Sequence, residues 1–317
     1  MWDPVQGLGT MKFVGLDNLL FALEEPLVWT SLGNTLWLAV ASGVPQHVVA
    51  ILLALASPED VTVLGITAVA GNVPLALTEK NARIICELAG KPETRVFAGC
   101  DRPLARKLVT AEHVHGKTGL DGPQLAAPTM PLQPQHAVDF LIDTLRAEPA
   151  HTVTLCVLGP LTNIAEAFRR APDIIGRVQQ IVLMGGAYFE VGNITPAAEF
   201  NIYVDPEAAE IVFKSGVPLV VMPLDVTHKA LTSRPWVEGM RALGTPVGQA
   251  VASWTDFFER FDTAKYGSEG APLHDPCVID VFLSIVRFMQ GEAPRPWWDF
   301  SKERKATLAK DAPLTLW

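Results

Sequence analysis

Residues 152–184 read TVTLCVLGPLTNIAEAFRRAPDIIGRVQQIVLM, which predicts a strand, a helix and a second strand in succession. The apolar run 152–158 is typical of a β-strand. Residues 162–170 have the spacing of a helix that stops before Pro172, and residues 180–184 predict the second strand. Strands that are joined through a helix lie parallel in one sheet, so this stretch predicts an α/β fold.

The same alternation extends on both sides of this stretch. Helical spacing recurs at residues 75–88, 137–146 and 206–214, and β-type runs recur at 61–69 and 218–222. We therefore expect an open, mostly parallel sheet with helices on both faces. Ligands of such sheets bind beyond the carboxyl ends of the strands.

Composition limits the class of protein. The chain has 317 residues, of which 49% are hydrophobic, so it can bury the core of one large or two small domains. Its net charge of -9 argues against nucleic-acid binding, which needs a basic surface. The four cysteines are scattered, which predicts free thiols in a reducing, cytoplasmic setting.

The N-terminal region differs in character. Residues 35–57 contain no Asp, Glu, Lys or Arg, and this length can span a bilayer. The alternative is a buried helix of a soluble domain, interrupted near Gly43 and Pro45. Both interpretations stay open from the sequence.

Polar residues follow the predicted strands. The segments at these strand ends are AGN (70–72), GPLTN (159–163), GG (185–186) and LDVTH (224–228). Beyond the glycines, Asn193, Glu199 and Asn201 offer donors and acceptors that suit a small polyhydroxylated ligand. A polar surface loop would explain the same residues.

Two further motifs have a structural and a functional interpretation. Asp205 and Asp275 each precede a proline, as helix N-caps do, and capping is the favoured role for Asp205. At Asp275 the neighbouring His274 also suits acid catalysis beside a metal or hydroxyl ligand. His113 and His115 could share a ligand on a strand, but no third ligand lies nearby, so zinc is not expected.

In order along the chain, these motifs resemble the inosine-uridine-preferring nucleoside hydrolases over about residues 50–281. The matching segments are AILLAL (50–55), VAGN (69–72), TAEHVHG (110–116), LGPLTN (158–163), MGG (184–186), GN (192–193), AEFN (198–201), DPEAA (205–209), LDVTH (224–228) and HDPC (274–277). The resemblance implies an open α/β fold, a bound Ca²⁺ and hydrolysis of the N-glycosidic bond of ribonucleosides. It also implies a dimer or tetramer.

The resemblance further implies roles for individual residues. The residues expected to hold the ribose hydroxyls are Asn72, Asn193, Glu199 and Asn201, and Met184 would line the sugar site. Leu158 would offer a backbone carbonyl to Ca²⁺, and Asp275 a carboxylate to Ca²⁺ and sugar. His274 would protonate the leaving base, near which His115 and Phe200 would lie.

The chain also departs from that family. Its members carry an Asp-x-Asp-Pro-Gly-x-Asp-Asp motif just before the AILLAL segment, where this chain has Val40, Ser42, Gln46 and His47 at the aspartate positions. The segment KFVGLDN (12–18) and residues 29–55 instead resemble a sugar ABC-transporter permease. We expect a permease-like segment (1–49), a hydrolase-like domain (50–281) and a divergent tail (282–317).

Three function classes follow from these observations. The first is a nucleoside hydrolase that is impaired because the aspartate motif is missing. The second is a nucleoside- or ribose-binding protein without catalysis. The third is a membrane component, a permease remnant that contacts the bilayer through residues 35–57.

Overall fold

The computed structural model of the chain describes residues 46–231, 234–266, 272–289 and 315–316. Its α-helices are α1 Gln46–Leu55, α2 Leu75–Leu88, α3 Glu112–His115, α4 Ala137–Ala147, α5 Thr162–Arg170, α6 Phe200–Val204, α7 Pro206–Phe213, α8 Leu224–Thr227, α9 Arg234–Ala242, α10 Pro246–Tyr266 and α11 Pro276–Met289. Its strands are β1 Thr62–Val63, β2 Ile66–Ala68, β3 Val96–Ala98, β4 Val153–Val157, β5 Val178–Met184, β6 Leu219–Met222 and β7 Thr315–Leu316.

The strands form two parallel sheets. Five strands lie in the order β1-β7-β4-β5-β6, and β2 and β3 form a separate pair. The β4–β5 register sets Leu155 beside Ile181 and Val157 beside Leu183. The predicted α/β class is confirmed, but the strands do not join into one continuous sheet.

Different helices cover the two faces of the larger sheet. Helices α1 and α11 pack with Cys156, Val182 and Met184 in one apolar cluster. Helices α4, α5 and α7 pack with the alternate strand residues, which include Leu155 and Leu183. This alternation, with both faces buried, explains why β4 and β5 read as continuous apolar runs in the sequence.

The predicted strand 61–69 is wrong as one element, because the structure divides it into β1 and β2. The break falls at Gly65, where a Cβ atom would lie 2.7 Å from the Phe140 ring. A shared ligand for His113 and His115 was considered for the case that they lie on a strand, and the structure places them on helix α3.

Most of the permease-like segment lies outside the described residues, as does most of the tail. Of the apolar stretch 35–57, residues 46–55 form α1, where Val48 and Ala50 are fully buried. In the part of the chain that the structure describes, no helix combines the length and the apolarity that a bilayer crossing requires.

Candidate functional site

The segments that follow β2 and β4 meet at one cavity of roughly 180 Å³. Asn72 and Leu158, which come after these strands, line it together with Asn201. Helix α1 closes one side with His47, whose pKa burial lowers to about 4. Of the strand-end segments predicted to share one crevice, 70–72 and 159–163 contribute lining residues to this cavity, whereas 185–186 and 224–228 do not.

A hydrogen-bond network fixes the segment that follows β5. The Asn201 side-chain amide donates to the Met184 carbonyl at 3.2 Å. Glu199 accepts from the backbone N–H of Asn201 at 2.9 Å and from that of Gly186 at 3.0 Å. Glu199 is 2% exposed and Asn201 9%, so a polar surface loop does not describe them. Both side chains are held rigidly at the carboxyl end of β5.

Asn193 and Phe200 also stabilise the segment that follows β5. The Asn193 carboxamide oxygen accepts from the Phe200 backbone N–H at 2.8 Å. The Phe200 side chain is buried with Ala111 and Val204. These contacts fix the conformation of the segment after β5. The Phe200 side chain lies mainly within an apolar cluster.

Asp275 and His274 lie just before helix α11, where Asp275 is buried and His274 is partly buried. Burial raises the pKa of Asp275 well above its usual value, and the negative charge of Glu199 raises it further. Burial also raises the pKa of Glu199, against the lowering effect of the backbone N–H groups that it accepts. Burial and their mutual repulsion disfavour two negative charges at this place, and a positive charge brought next to the pair would favour the ionised forms.

The His274 side chain contacts two residues that the sequence did not indicate as its neighbours. Its Nδ1 lies 2.5 Å from the Thr227 hydroxyl, and its ring centroid lies 5.7 Å from that of His228. Burial lowers the pKa of His274 to about 3, and the charges of His228 and His115 add to this effect. The resting imidazole is therefore neutral at pH 7. If the Thr227 hydroxyl donates to Nδ1, the Nε2 atom carries the proton.

The LDVTH segment (224–228) fixes the loop at residues 188–190 through hydrogen bonds. The Asp225 carboxylate accepts from the backbone N–H groups of Tyr188, Phe189 and Glu190, and these bonds lower its pKa. Glu190 Oε2 also lies 3.7 Å from His228 Nδ1. The only sequence signal for these roles was that this segment follows a predicted strand.

The donor groups of the described residues do not fit the expected Ca²⁺. That ion takes six to eight oxygen ligands, several of them carboxylates. Over the described ranges, no three His, Cys, Asp or Glu side chains are grouped to hold a metal. Asp275 and the Leu158 carbonyl are the two described candidates, and His47 is a neutral imidazole where the family motif has an aspartate.

Comparison with known proteins fits this geometry. The family model described as inosine-uridine preferring nucleoside hydrolase matches residues 45–308. The chain belongs to this nucleoside hydrolase family. The match begins at the residue before α1, so residues 1–44 of the permease-like segment stay outside it, and it extends into the segment predicted as a tail.

Individual relatives agree with the family assignment. The chain is 47% identical over 257 residues to the pyrimidine-specific ribonucleoside hydrolase RihA of Escherichia coli K12, which covers 78% of this chain and 82% of RihA. It is 52% identical over 228 residues to an uncharacterized Schizosaccharomyces pombe protein, C1683.06c, covering 72% and 73%.

Solved structures of the nucleoside hydrolases share the fold. A purine-preferring ribonucleoside hydrolase from Gardnerella vaginalis matches with a TM-score of 0.72 and 34% identity, over 78% of each chain. The plant nucleoside hydrolase PpNRh1 matches with a TM-score of 0.69 and 32% identity, over 76% of each.

Proposed function

We propose that the chain is an N-ribohydrolase that cleaves ribonucleosides to ribose and free base, at a rate well below that of family members with the full aspartate motif. The observation that supports this best is the buried pair of carboxyl groups, Glu199 and Asp275, beside the Asn201 amide. Glycosidic cleavage passes through an oxocarbenium-like state, whose positive charge such a pair stabilises.

The proposed roles of the individual residues follow from the family resemblance. Asn72, Asn193, Glu199 and Asn201 hold the ribose hydroxyls, and Met184 lines the sugar site. Asp275 faces the reacting sugar. Phe200 and His115 lie towards the base. These assignments rest on the family match and on the shared cavity of Asn72 and Asn201.

His274 is the proposed donor to the leaving base. A neutral imidazole with its proton on Nε2 can donate a hydrogen bond to a base nitrogen. As the glycosidic bond breaks, negative charge grows on the base, so the imidazole takes up a proton from solvent, gives one to the base nitrogen and ends neutral again. His274 thus supports departure of the base even though burial lowers its resting pKa.

The described residues offer few ligands for the Ca²⁺ that the family resemblance implies. Asp275 and the Leu158 carbonyl would be its remaining ligands, and affinity falls with the charge and number of ligands. We expect Ca²⁺ to bind far more weakly here than at a site with several carboxylates. No catalytic step here is assigned to the ion.

The proposed setting is a soluble cytoplasmic enzyme that acts on small ribonucleosides, not on nucleic acid, and assembles as a dimer or tetramer. The names of the relatives include both a pyrimidine-specific and a purine-preferring enzyme, so both kinds of substrate are tested. The division of the chain at residues 49 and 281 also stays a proposal.

The test is turnover by the purified full chain at high protein concentration. Inosine and uridine are incubated separately, free base is separated by chromatography, and ribose is measured as reducing sugar. Slow, equal release of base and ribose is expected, and Asp275→Asn should abolish it. If release by the parent chain does not exceed that of Asp275→Asn, the chain is a binder without catalysis and the proposal fails.

A further inference from the structure

Two aromatic rings are exposed to solvent on the loop that follows β5. Tyr188 is 81% exposed and Phe189 is 90% exposed, the highest values among the large hydrophobic side chains that the structure describes. Their ring centroids lie 4.5 Å apart in an edge-to-face arrangement. Burial of aromatic rings contributes strongly to binding, so an exposed pair of this kind is a candidate contact surface.

The backbone of this loop is fixed before any ligand binds. The Asp225 carboxylate accepts hydrogen bonds from three consecutive backbone N–H groups, those of residues 188–190, at 2.7–3.2 Å. Hydrogen bonds to an ionised acceptor are stronger than those between neutral groups. Because the two rings are carried on a fixed backbone, a ligand that packs on them has little loop ordering to offset.

The loop lies between the proposed sugar side and the proposed base side of the candidate site. At its start, the Gly186 N–H donates to Glu199, which is proposed to hold the ribose. At its other end, Glu190 Oε2 lies 3.7 Å from His228 Nδ1. The His228 ring in turn lies 5.7 Å from the ring of His274, the proposed donor to the leaving base.

Helix α8 connects the loop with His274 over a short distance. Asp225 and Thr227 both belong to this helix, a single turn that is about 5.4 Å long. Asp225 contacts the backbone of the loop, and the Thr227 hydroxyl lies 2.5 Å from His274 Nδ1. Stacked rings have centroids roughly 4.5–7 Å apart. An aromatic side chain of the loop can therefore reach a base that contacts His274.

We propose that Tyr188 and Phe189 form the surface on which the nucleobase of a bound ribonucleoside stacks. This inference rests on the proposed function and adds to it residues that bind the base. A nucleobase is planar and aromatic, and its stacking on Tyr or Phe does not depend on the hydrogen-bonding pattern of its edges. A bicyclic purine presents the larger face, so the pair stabilises a bound purine nucleoside more than a pyrimidine nucleoside.

The probes are two nucleosides with a carbon–carbon glycosidic bond, which cannot be hydrolysed: formycin B, an analogue of inosine, and pseudouridine. Their affinity for the full chain is measured by isothermal titration calorimetry. Tyr188→Ala combined with Phe189→Ala should weaken formycin B binding at least about tenfold and pseudouridine binding less. Binding of D-ribose, which has no base, should not change when it is measured by saturation-transfer NMR.

Matched variants separate stacking from a general loss of apolar surface. Tyr188→Phe and Phe189→Tyr keep an aromatic face and should bind both probes as the parent does. Phe213→Ala removes a half-exposed ring from α7 and should also leave binding unchanged. Urea unfolding checks that each variant is folded, and both loop positions are exposed enough for alanine to be tolerated.

The outcomes distinguish this inference from the proposed function. If the parent binds the probes but releases no base from inosine or uridine, the hydrolase proposal fails and the stacking inference stands. If the double alanine variant binds both probes as the parent does, the stacking inference fails, whatever the turnover. It also fails if the parent binds neither probe, or if the variant changes only the association of the chain in size-exclusion chromatography.

Discussion

Asp280 is a buried carboxyl group on helix α11. Burial raises its pKa to about 6, although the charge of Arg287 lowers it. The folded protein holds this proton more tightly than the unfolded chain does, so the stability that protonation contributes is present below about pH 4 and is lost as the pH rises through 6. We predict that Asp280→Asn raises stability at pH 7.5 by up to roughly 3 kcal/mol and changes it little at pH 4.

Urea unfolding of the Asp280→Asn variant and the parent at both pH values measures this difference. A gain of the same size at both would mean that packing of the amide, and not loss of the ionisable group, stabilises the variant.

His274 gives a prediction that separates catalysis from packing. Hypoxanthine and uracil leave poorly as anions, so His274→Ala should slow inosine and uridine hydrolysis by about 10²–10⁴-fold. p-Nitrophenyl riboside has a leaving group that needs no proton, and its hydrolysis should change little. Steady-state rates for the three substrates test this. Equal losses on all of them would remove His274 from the catalytic residues.

Asp205 ties three elements together, and its removal should be costly. Its carboxylate caps α7 through the Ala208 N–H at 3.0 Å, and it also accepts from the Leu104 N–H and the Thr162 hydroxyl. Because the side chain is fully buried, Asp205→Ala leaves these donors unpaired. We predict a loss of roughly 2–4 kcal/mol in urea unfolding, since a lost cap and unpaired donors each cost about 1–2 kcal/mol or more.

Asp173→Ala is the matched control for Asp205→Ala. Asp173 pairs with Arg146 on the surface, with more than half of its side chain exposed. Water screens such exposed pairs, so their contribution to stability is small. Similar losses for the two variants would show that the network around Asp205 adds nothing beyond an ordinary surface contact.

The sequence predicted those elements whose determinants are local. Helices α2 and α5 match their predicted bounds, because each has an amphipathic period and ends near Gly90 or Pro172. The break between β1 and β2 could not be predicted, since it depends on the ring of Phe140, distant in sequence. In the candidate site, Glu199 and Asn201 were predicted from a sequence motif. The role of Asp225 was missed because its partners are backbone groups of another loop.

A buried ion pair connects two parts of the molecule that are distant in sequence. Arg287 of α11 donates to Asp60, which precedes β1, at 2.7 Å, and the two side chains are 5% and 1% exposed. This contact spans 227 residues of sequence and fixes α11, which carries Asp275 at its start, against the beginning of the sheet. The position of the candidate site therefore depends on it.

Removing one member of this pair should cost far more than replacing both. Arg287→Ala leaves the Asp60 carboxylate buried without its cation, for which we predict a loss of about 3–5 kcal/mol. The double variant Asp60→Leu, Arg287→Met removes both charges and keeps apolar volume, so it should be at least roughly 2 kcal/mol more stable than Arg287→Ala. Urea unfolding of the three proteins tests this order. If the double variant is the least stable, the pair stabilises the fold by its charge as well as its geometry, and apolar packing cannot replace it.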